Sequence, residues 1–132
     1  MTELLLGIDE DEERAINQAE TVVDLFDPDD VQAYLLHDFV DNPEGASVTQ
    51  IKSVQRAQDV LEEAGAAVEL REASGAPAQS ILRVADRLDV DAICVAGRKR
   101  SPTGKALFGS VSQEVILNTE RPVLISSSEQ AD

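Results

Sequence analysis

The sequence predicts an α/β domain in which a five-stranded parallel sheet is covered by four helices. Short, continuous blocks of aliphatic residues alternate with stretches in which apolar residues recur every three or four positions. These are the patterns of buried strands and of amphipathic helices. Their regular alternation is typical of βαβ units, which build parallel sheets. At 132 residues with 42% apolar content, the chain is long enough to form one domain with a core.

Nine segments make up this alternation. The stretch 11–26 shows the helical pattern, because Ala15, Ala19 and Val22 fall three or four positions apart. Residues 92–96 show the strand pattern, since all five are apolar. The predicted elements are strand 4–6, helix 11–26, strand 31–36, helix 51–64, strand 68–70, helix 77–88, strand 92–96, helix 110–118 and strand 123–125.

Polar residues mark the expected ends of the helices. Ser47 with Gln50, and Ser110 with Gln113, have the spacing of capping boxes, so we expect each box to begin the helix that follows it. Gly65 is expected to end the second helix, because glycine tolerates the left-handed conformation that closes many helices.

The chain is strongly acidic, with 26 acids against 11 bases and a net charge of −15. Such a field repels nucleic acids and anionic membranes, so we expect neither as a partner. Concentrated salt screens the repulsion between the acids. The composition therefore indicates adaptation to a high-salt cytoplasm; the alternative is an ordinary acidic protein.

The location and extent of the domain follow from the same data. No apolar run approaches the roughly 18 residues that cross a bilayer, and the first three residues lack the basic flank of a signal peptide. We therefore expect a cytoplasmic protein, with one domain over residues 1–126 and a polar tail over residues 127–132.

A basic segment interrupts this acidity. Residues 92–113 contain no acid, and four of the eleven bases lie at 98–105. The segment leads into Gly109 and Ser110 at a predicted helix start, where free backbone N–H groups and the helix dipole favour anions. These features predict a phosphate-binding site; the alternative is a solvated basic loop. The segment is not a P-loop, because lysine stands at position 99, where that motif requires its first glycine.

The reactive side chains have structural interpretations. Cys94 lies between Ile93 and Val95, which indicates a core position, and a single cysteine forms no intramolecular disulfide. His37 is the only histidine and has no second histidine or cysteine nearby, so a metal site is not predicted. Ser110 has no histidine placed to activate it. We therefore predict no catalytic and no metal-binding residue.

Several segments resemble the universal stress protein family. Leu5-Leu6-Gly7-Ile8-Asp9, with the helix after it, is similar to the opening strand of that family. Leu107-Phe108-Gly109-Ser110-Val111-Ser112 and Arg121-Pro122-Val123-Leu124-Ile125 are similar to its closing half. The resemblance implies an open sheet of strand order 3-2-1-4-5, of the adenine-nucleotide α-hydrolase-like type. It also implies a homodimer paired through the last strand, here Val123, Leu124 and Ile125, and the acidity resembles members from extreme halophiles.

Many members of this family bind ATP through Gly-x-x-Gly, nine residues, then Gly-Ser/Thr. The resemblance implies that Asp9 contacts the nucleoside and that Gly97 lies at the ribose and phosphates. From the residues alone, Asp9 is equally a cap of the first helix. The implied ligand is ATP with Mg²⁺, or a related adenine nucleotide. The predicted nucleotide site consists of Ile8, Asp9, Asp38, Gly97, Arg98, Arg100, Gly109, Ser110, Val111 and Ser112.

Three features depart from the family pattern. Arg100 stands where the second glycine is expected, and only eight residues separate it from Gly109. Asp38 stands where the family has an apolar residue beside the adenine. Arg100 could supply charge or block the phosphate, and Asp38 could accept from an exocyclic amine or abolish binding.

Two functions therefore stay open. The first is a stress-type regulatory module that binds an adenine nucleotide. The second is a dimeric regulatory protein of the same fold that binds none. A hydrolase or transferase is the least supported interpretation, although slow ATP hydrolysis is compatible with the first.

Overall fold

Five parallel strands form one sheet in the order β3-β2-β1-β4-β5. The computed structural model describes residues 1–39, 47–97 and 109–127. Within them, the predicted strand order, parallel pairing and four helices are confirmed. The elements are β1 (Thr2–Gly7), α1 (Glu12–Leu25), β2 (Val31–Asp38), α2 (Lys52–Ala64), β3 (Ala67–Ala73), α3 (Pro77–Leu88), β4 (Ala92–Gly97), α4 (Ser110–Asn118) and β5 (Val123–Ser127).

The sheet is covered on both faces. Helices α1 and α2 pack against one face, and α3 and α4 pack against the other. Leu4 and Leu6 of β1 belong to the first apolar cluster and Leu5 to the second, and none of the three is exposed. Successive residues of a strand point to opposite faces. A strand covered on both faces is therefore apolar at every position, which is why the aliphatic blocks predicted strands.

The first expected capping box caps a different element. Gln50 Oε1 accepts from the Ser47 N–H at 2.9 Å, but the box closes a 3-10 turn at Val48–Gln50. Helix α2 begins only after Ile51, whose backbone is extended (φ −83°, ψ 120°). The prediction that this box begins the helix is wrong, because an extended residue separates the two elements. Gly65 ends α2 as predicted, with a φ of 110°.

The second expected capping box is wrong by one residue. Ser110 is the first helical residue of α4, and Gly109 occupies the N-cap position before it. The Gly109 carbonyl oxygen accepts from the Gln113 N–H at 3.0 Å. A capping box needs its serine at the N-cap. Helix α4 therefore begins with no capping hydrogen bond from the side chain of its N-cap residue.

Strands β1 and β4 separate at a buried side-chain amide. Their pairing ends at Leu6 and Cys94. Gln18 of α1 is fully buried, and its Nε2 donates to the carbonyl oxygens of Gly7 at 3.0 Å and Cys94 at 3.3 Å. The amide thus joins the two strands where their own ladder stops.

Strand β5 is the last element of the described chain. Strand β5 runs to Ser127, one residue beyond the expected domain boundary, and residues 128–132 of the expected tail lie outside the described residues. The domain assignment stays a prediction. In the parts of the chain that the structure describes, no helix has both the length and the apolar character needed to cross a bilayer.

The amide of Gln18 generates a test of stability. Gln18→Leu keeps a similar volume but removes both hydrogen bonds. We expect the free energy of unfolding in urea to fall by about 1–3 kcal/mol. Gln58→Leu is the matched control, because Gln58 donates only to Glu62 on the same helix; we expect a change within about 0.5 kcal/mol. Equal effects of the two substitutions would contradict the bridging role of Gln18.

Candidate functional site

A cavity of about 390 Å³ opens at the carboxyl ends of β1, β2 and β4, and the first turns of α3 and α4 complete its wall. Strands β2 and β3 lie on one side of β1, whereas β4 and β5 lie on the other. Ligands of open α/β sheets bind where the strand order reverses in this way. We call it the switch-point cavity; its wall consists of Gly7, Ile8, Asp9, Glu10, Leu36, His37, Asp38, Phe39, Pro77, Ile81, Val95, Ala96, Val111 and Ser112.

The wall brings together half of the predicted nucleotide site. The predicted residues on it are Ile8, Asp9, Asp38, Val111 and Ser112. Gly97 ends β4, directly after the wall residue Ala96, while Gly109 and Ser110 directly precede Val111. Arg98 and Arg100 lie outside the described residues. The role of all ten in binding stays a prediction.

The carboxylate of Asp9 accepts two hydrogen bonds from neighbouring residues. Its Oδ1 accepts from the Asp11 N–H at 2.8 Å, and its Oδ2 accepts from Arg14 Nη1 at 3.0 Å. The N-cap of α1 is Asp11, whose carboxylate accepts from the Arg14 N–H at 3.0 Å. Asp9 is therefore not the helix cap. Its half-exposed carboxylate lies at the mouth of the switch-point cavity, beside an arginine.

His37 ties the end of β2 to the segment after β1. Its Nδ1 lies 2.8 Å from the Ile8 carbonyl oxygen. Because a carbonyl oxygen only accepts, Nδ1 carries the hydrogen. The ring is buried and meets Phe39 edge to face, with 4.8 Å between centroids. Across the described ranges, no three His, Cys, Asp or Glu side chains form a group that could hold a metal ion.

Asp38 forms a pair with a serine of α3. Ser80 Oγ donates to Asp38 Oδ2 in a short hydrogen bond, and Ser80 is 1% exposed. The other carboxylate oxygen, Oδ1, is buried and has no hydrogen-bond partner among the described residues. Asp38 was identified from the sequence but Ser80 was not, because the two residues lie 42 positions apart and no local pattern signals their contact.

The start of α4 is fastened to the end of β4. Ser112 is 3% exposed and its Oγ donates to the Ala96 carbonyl oxygen at 2.8 Å. The N-cap residue, Gly109, contributes no side-chain acceptor, and among the described residues no side chain caps the first-turn N–H groups of this nine-residue helix. The positive end of the helix dipole therefore lies at the cavity wall, where it favours an anion.

Glycine at position 97 has a packing reason. A Cβ added there would lie 2.5 Å from Ile125 Cγ2 and 3.5 Å from the Ser126 carbonyl oxygen. Gly97 itself is buried at the end of β4. The absence of a side chain therefore lets β4 and β5 approach closely.

Cys94 is a core residue, as predicted. It is fully buried, and burial raises the pKa of its thiol to about 12, against a smaller lowering by a hydrogen bond with Gln18. The thiol therefore stays protonated at neutral pH, in which form it is a weak nucleophile.

Comparison with known proteins identifies the same fold. The sequence model described as the universal stress protein family matches residues 1–127. A universal stress protein of Mycolicibacterium smegmatis is 35% identical over 65 residues, which cover 48% of this chain and 50% of that protein. The aligned part of the chain thus spans about half the length of the curated relatives it matches.

Solved structures match over nearly the whole chain. A universal stress protein from Archaeoglobus fulgidus has a TM-score of 0.72 at 27% identity, covering 96% of this chain and 98% of that one. A universal stress protein in complex with cAMP has a TM-score of 0.74 at 20% identity, covering 97% and 98%. The second likeness is one of fold.

Proposed function

Since this chain belongs to the universal stress protein family, we propose that it binds an adenine nucleotide in the switch-point cavity and acts as a stress-response regulatory module. The observation that carries this proposal is the cavity itself. Its wall joins an acid at the end of β2, Asp38, to the uncapped start of α4. These two ends suit the two chemically different ends of a nucleotide, a base with N–H donors and a negatively charged phosphate.

The proposed phosphate end is the first turn of α4. Backbone N–H groups of Gly109, Ser110, Val111 and Ser112 would donate to phosphate oxygens. No side chain of the described residues caps these N–H groups at the helix start. The chain between Gly97 and Gly109 carries four bases in a protein of net charge −15. Arg98 and Arg100 are proposed to neutralise phosphate charge, and ATP with Mg²⁺ is the proposed form of the ligand.

The proposed nucleoside end is the wall made by β1 and β2. Ile8 offers an apolar side chain beside the base, and Asp9 offers carboxylate oxygens to the ribose hydroxyls. The related universal stress protein that contains cAMP has the same fold, which supports a nucleotide ligand here. The cavity volume of about 390 Å³ lies within the range of small-molecule pockets.

We propose that the nucleotide is a signal rather than a substrate. The hydroxyl of Ser112 donates to a carbonyl oxygen of β4, and the hydrogen on His37 Nδ1 is used by the Ile8 carbonyl oxygen. Neither arrangement presents an activated nucleophile with its base. ATP turnover far above a buffer control, lost in Asp9→Asn, would contradict this proposal.

A second candidate function is a regulatory protein of the same fold that binds no nucleotide. It is favoured by Asp9, whose two carboxylate oxygens already accept from Asp11 and Arg14. A ribose would have to share these oxygens or displace the arginine. Copurification of one adenine nucleotide per chain would rule this candidate out.

We propose that the chain is a homodimer paired through β5. This strand lies at the edge of the sheet, and Val123, Leu124 and Ile125 are only partly buried. In α4, the helix before it, Ile116 is 39% exposed and Leu117 is 73% exposed. An apolar edge strand is a liability unless another chain covers it.

We also propose that the protein is adapted to a cytoplasm of high salt concentration, which the excess of acidic residues supports.

The phosphate end is tested by two substitutions of one residue. Both Gly109→Asp and Gly109→Asn supply a side-chain cap to α4, but only the aspartate brings a negative charge. We expect Gly109→Asp to bind ATP about 10-fold more weakly than Gly109→Asn in equilibrium dialysis, because phosphate and carboxylate repel. Equal affinities of the two variants would place the phosphates elsewhere.

The dimer and the salt adaptation are tested on the same samples. In a KCl series from about 0.1 M to several molar, we expect the urea unfolding midpoint to rise with salt, because the Debye length shrinks from ~10 to ~3 Å or less. Sedimentation equilibrium should give the mass of two chains at high salt. An unchanged midpoint would contradict the salt adaptation, and the mass of one chain throughout would contradict the dimer.

A further inference from the structure

The carboxylate of Asp38 has one oxygen occupied and one without a partner. Ser80 Oγ, in the first turn of α3, donates to Oδ2. Oδ1 is buried and accepts from no donor within residues 1–39, 47–97 and 109–127. Buried polar atoms are rarely left without a hydrogen bond in native proteins, and an isolated one is costly. Because Asp38 lies on the wall of the switch-point cavity, a ligand bound in the cavity can supply the missing donor.

The chemistry of this pair restricts which ligand group fits. An ionised carboxylate only accepts hydrogen bonds. It therefore attracts an N–H group and repels a carbonyl oxygen. Ser80, 1% exposed, already donates to Oδ2 and holds the carboxylate in place. The arrangement leaves one acceptor, which matches a single amino group on the edge of a base.

Resting on the proposed function, we propose that Asp38 makes the cavity selective for purines with an amino group at carbon 6 over purines with an oxygen there. Adenine would donate from its exocyclic amine to Oδ1. Hypoxanthine, the base of inosine nucleotides, presents a carbonyl oxygen at the same position and would be rejected. Ser80 is a positioning residue, because it acts on the base only through Asp38.

The test compares ATP with inosine triphosphate in equilibrium dialysis. We expect the wild-type protein to bind ATP about 10-fold or more tightly than inosine triphosphate, as sites that hydrogen-bond a donor discriminate strongly against analogues lacking it. Asp38→Asn should bring this ratio to about 1–3, because an amide can either accept or donate. Asp59→Asn on the exposed face of α2 removes the same charge and should keep the wild-type ratio.

A second variant covers the case in which Asp38→Asn does not fold. Ser80→Ala frees the carboxylate to rotate, and we expect the ratio of the two affinities to fall at least about 3-fold. A general loss of structure would weaken both nucleotides together and leave their ratio unchanged.

The outcomes separate this inference from the proposed function. Equal wild-type affinities for the two nucleotides, or a ratio unchanged in Asp38→Asn and Ser80→Ala variants that keep the wild-type circular dichroism spectrum, would overturn the role of Asp38 and leave nucleotide binding intact. Binding of neither nucleotide to the folded wild-type protein would overturn both.

Discussion

The buried amide of Gln18 holds the two central strands at the point where they stop pairing with each other. Strand β1 and strand β4 share a ladder only as far as Leu6 and Cys94, and Gln18 Nε2 then bonds a carbonyl oxygen on each strand. The cavity opens just beyond this bridge, since Ile8 and Ala96 are on its wall. A parallel sheet needs its backbone groups satisfied when a ladder ends. The buried Gln18 amide thus supplies a donor to the carbonyl oxygens of Gly7 and Cys94 at the point where the sheet opens.

Three serines extend the same principle to the helices. Ser53, Ser80 and Ser112 each lie in the first turns of a helix, and each is 3% exposed or less. Their hydroxyls donate to acceptors at the carboxyl ends of strands: the Asp9 carbonyl oxygen, the Asp38 carboxylate and the Ala96 carbonyl oxygen. These hydrogen bonds therefore hold the first turns of α2, α3 and α4 against the rim of the cavity. Because these elements are already ordered, a ligand that binds in the cavity loses less free energy to the ordering of its walls.

Local patterns carried the prediction of the fold, because burial on both faces makes the strands of a parallel sheet apolar throughout. Helix starts were less predictable. The pairs Ser47 with Gln50 and Ser110 with Gln113 have the correct spacing, but their backbone conformations place the α-helix elsewhere. The placement of Val111 and Ser112 in the first turn of a helix was predictable, because the residues that mark this helix start are close in sequence. A contact that joins distant residues was not predictable, as Gln18 reaches Cys94 across 76 positions. The expected contribution of Arg98 and Arg100 lies outside the described residues.

We propose that one nucleotide lies across the cavity, with its base at the end of β2 and its phosphates at the start of α4. A crystal structure of the protein grown with a non-hydrolysable ATP analogue and Mg²⁺ in concentrated KCl tests it most directly. We expect electron density for the base beside Asp38 and for the phosphates within hydrogen-bond distance of the N–H groups of residues 109–112. A nucleotide bound at another place, or an empty cavity at saturating analogue, would contradict it.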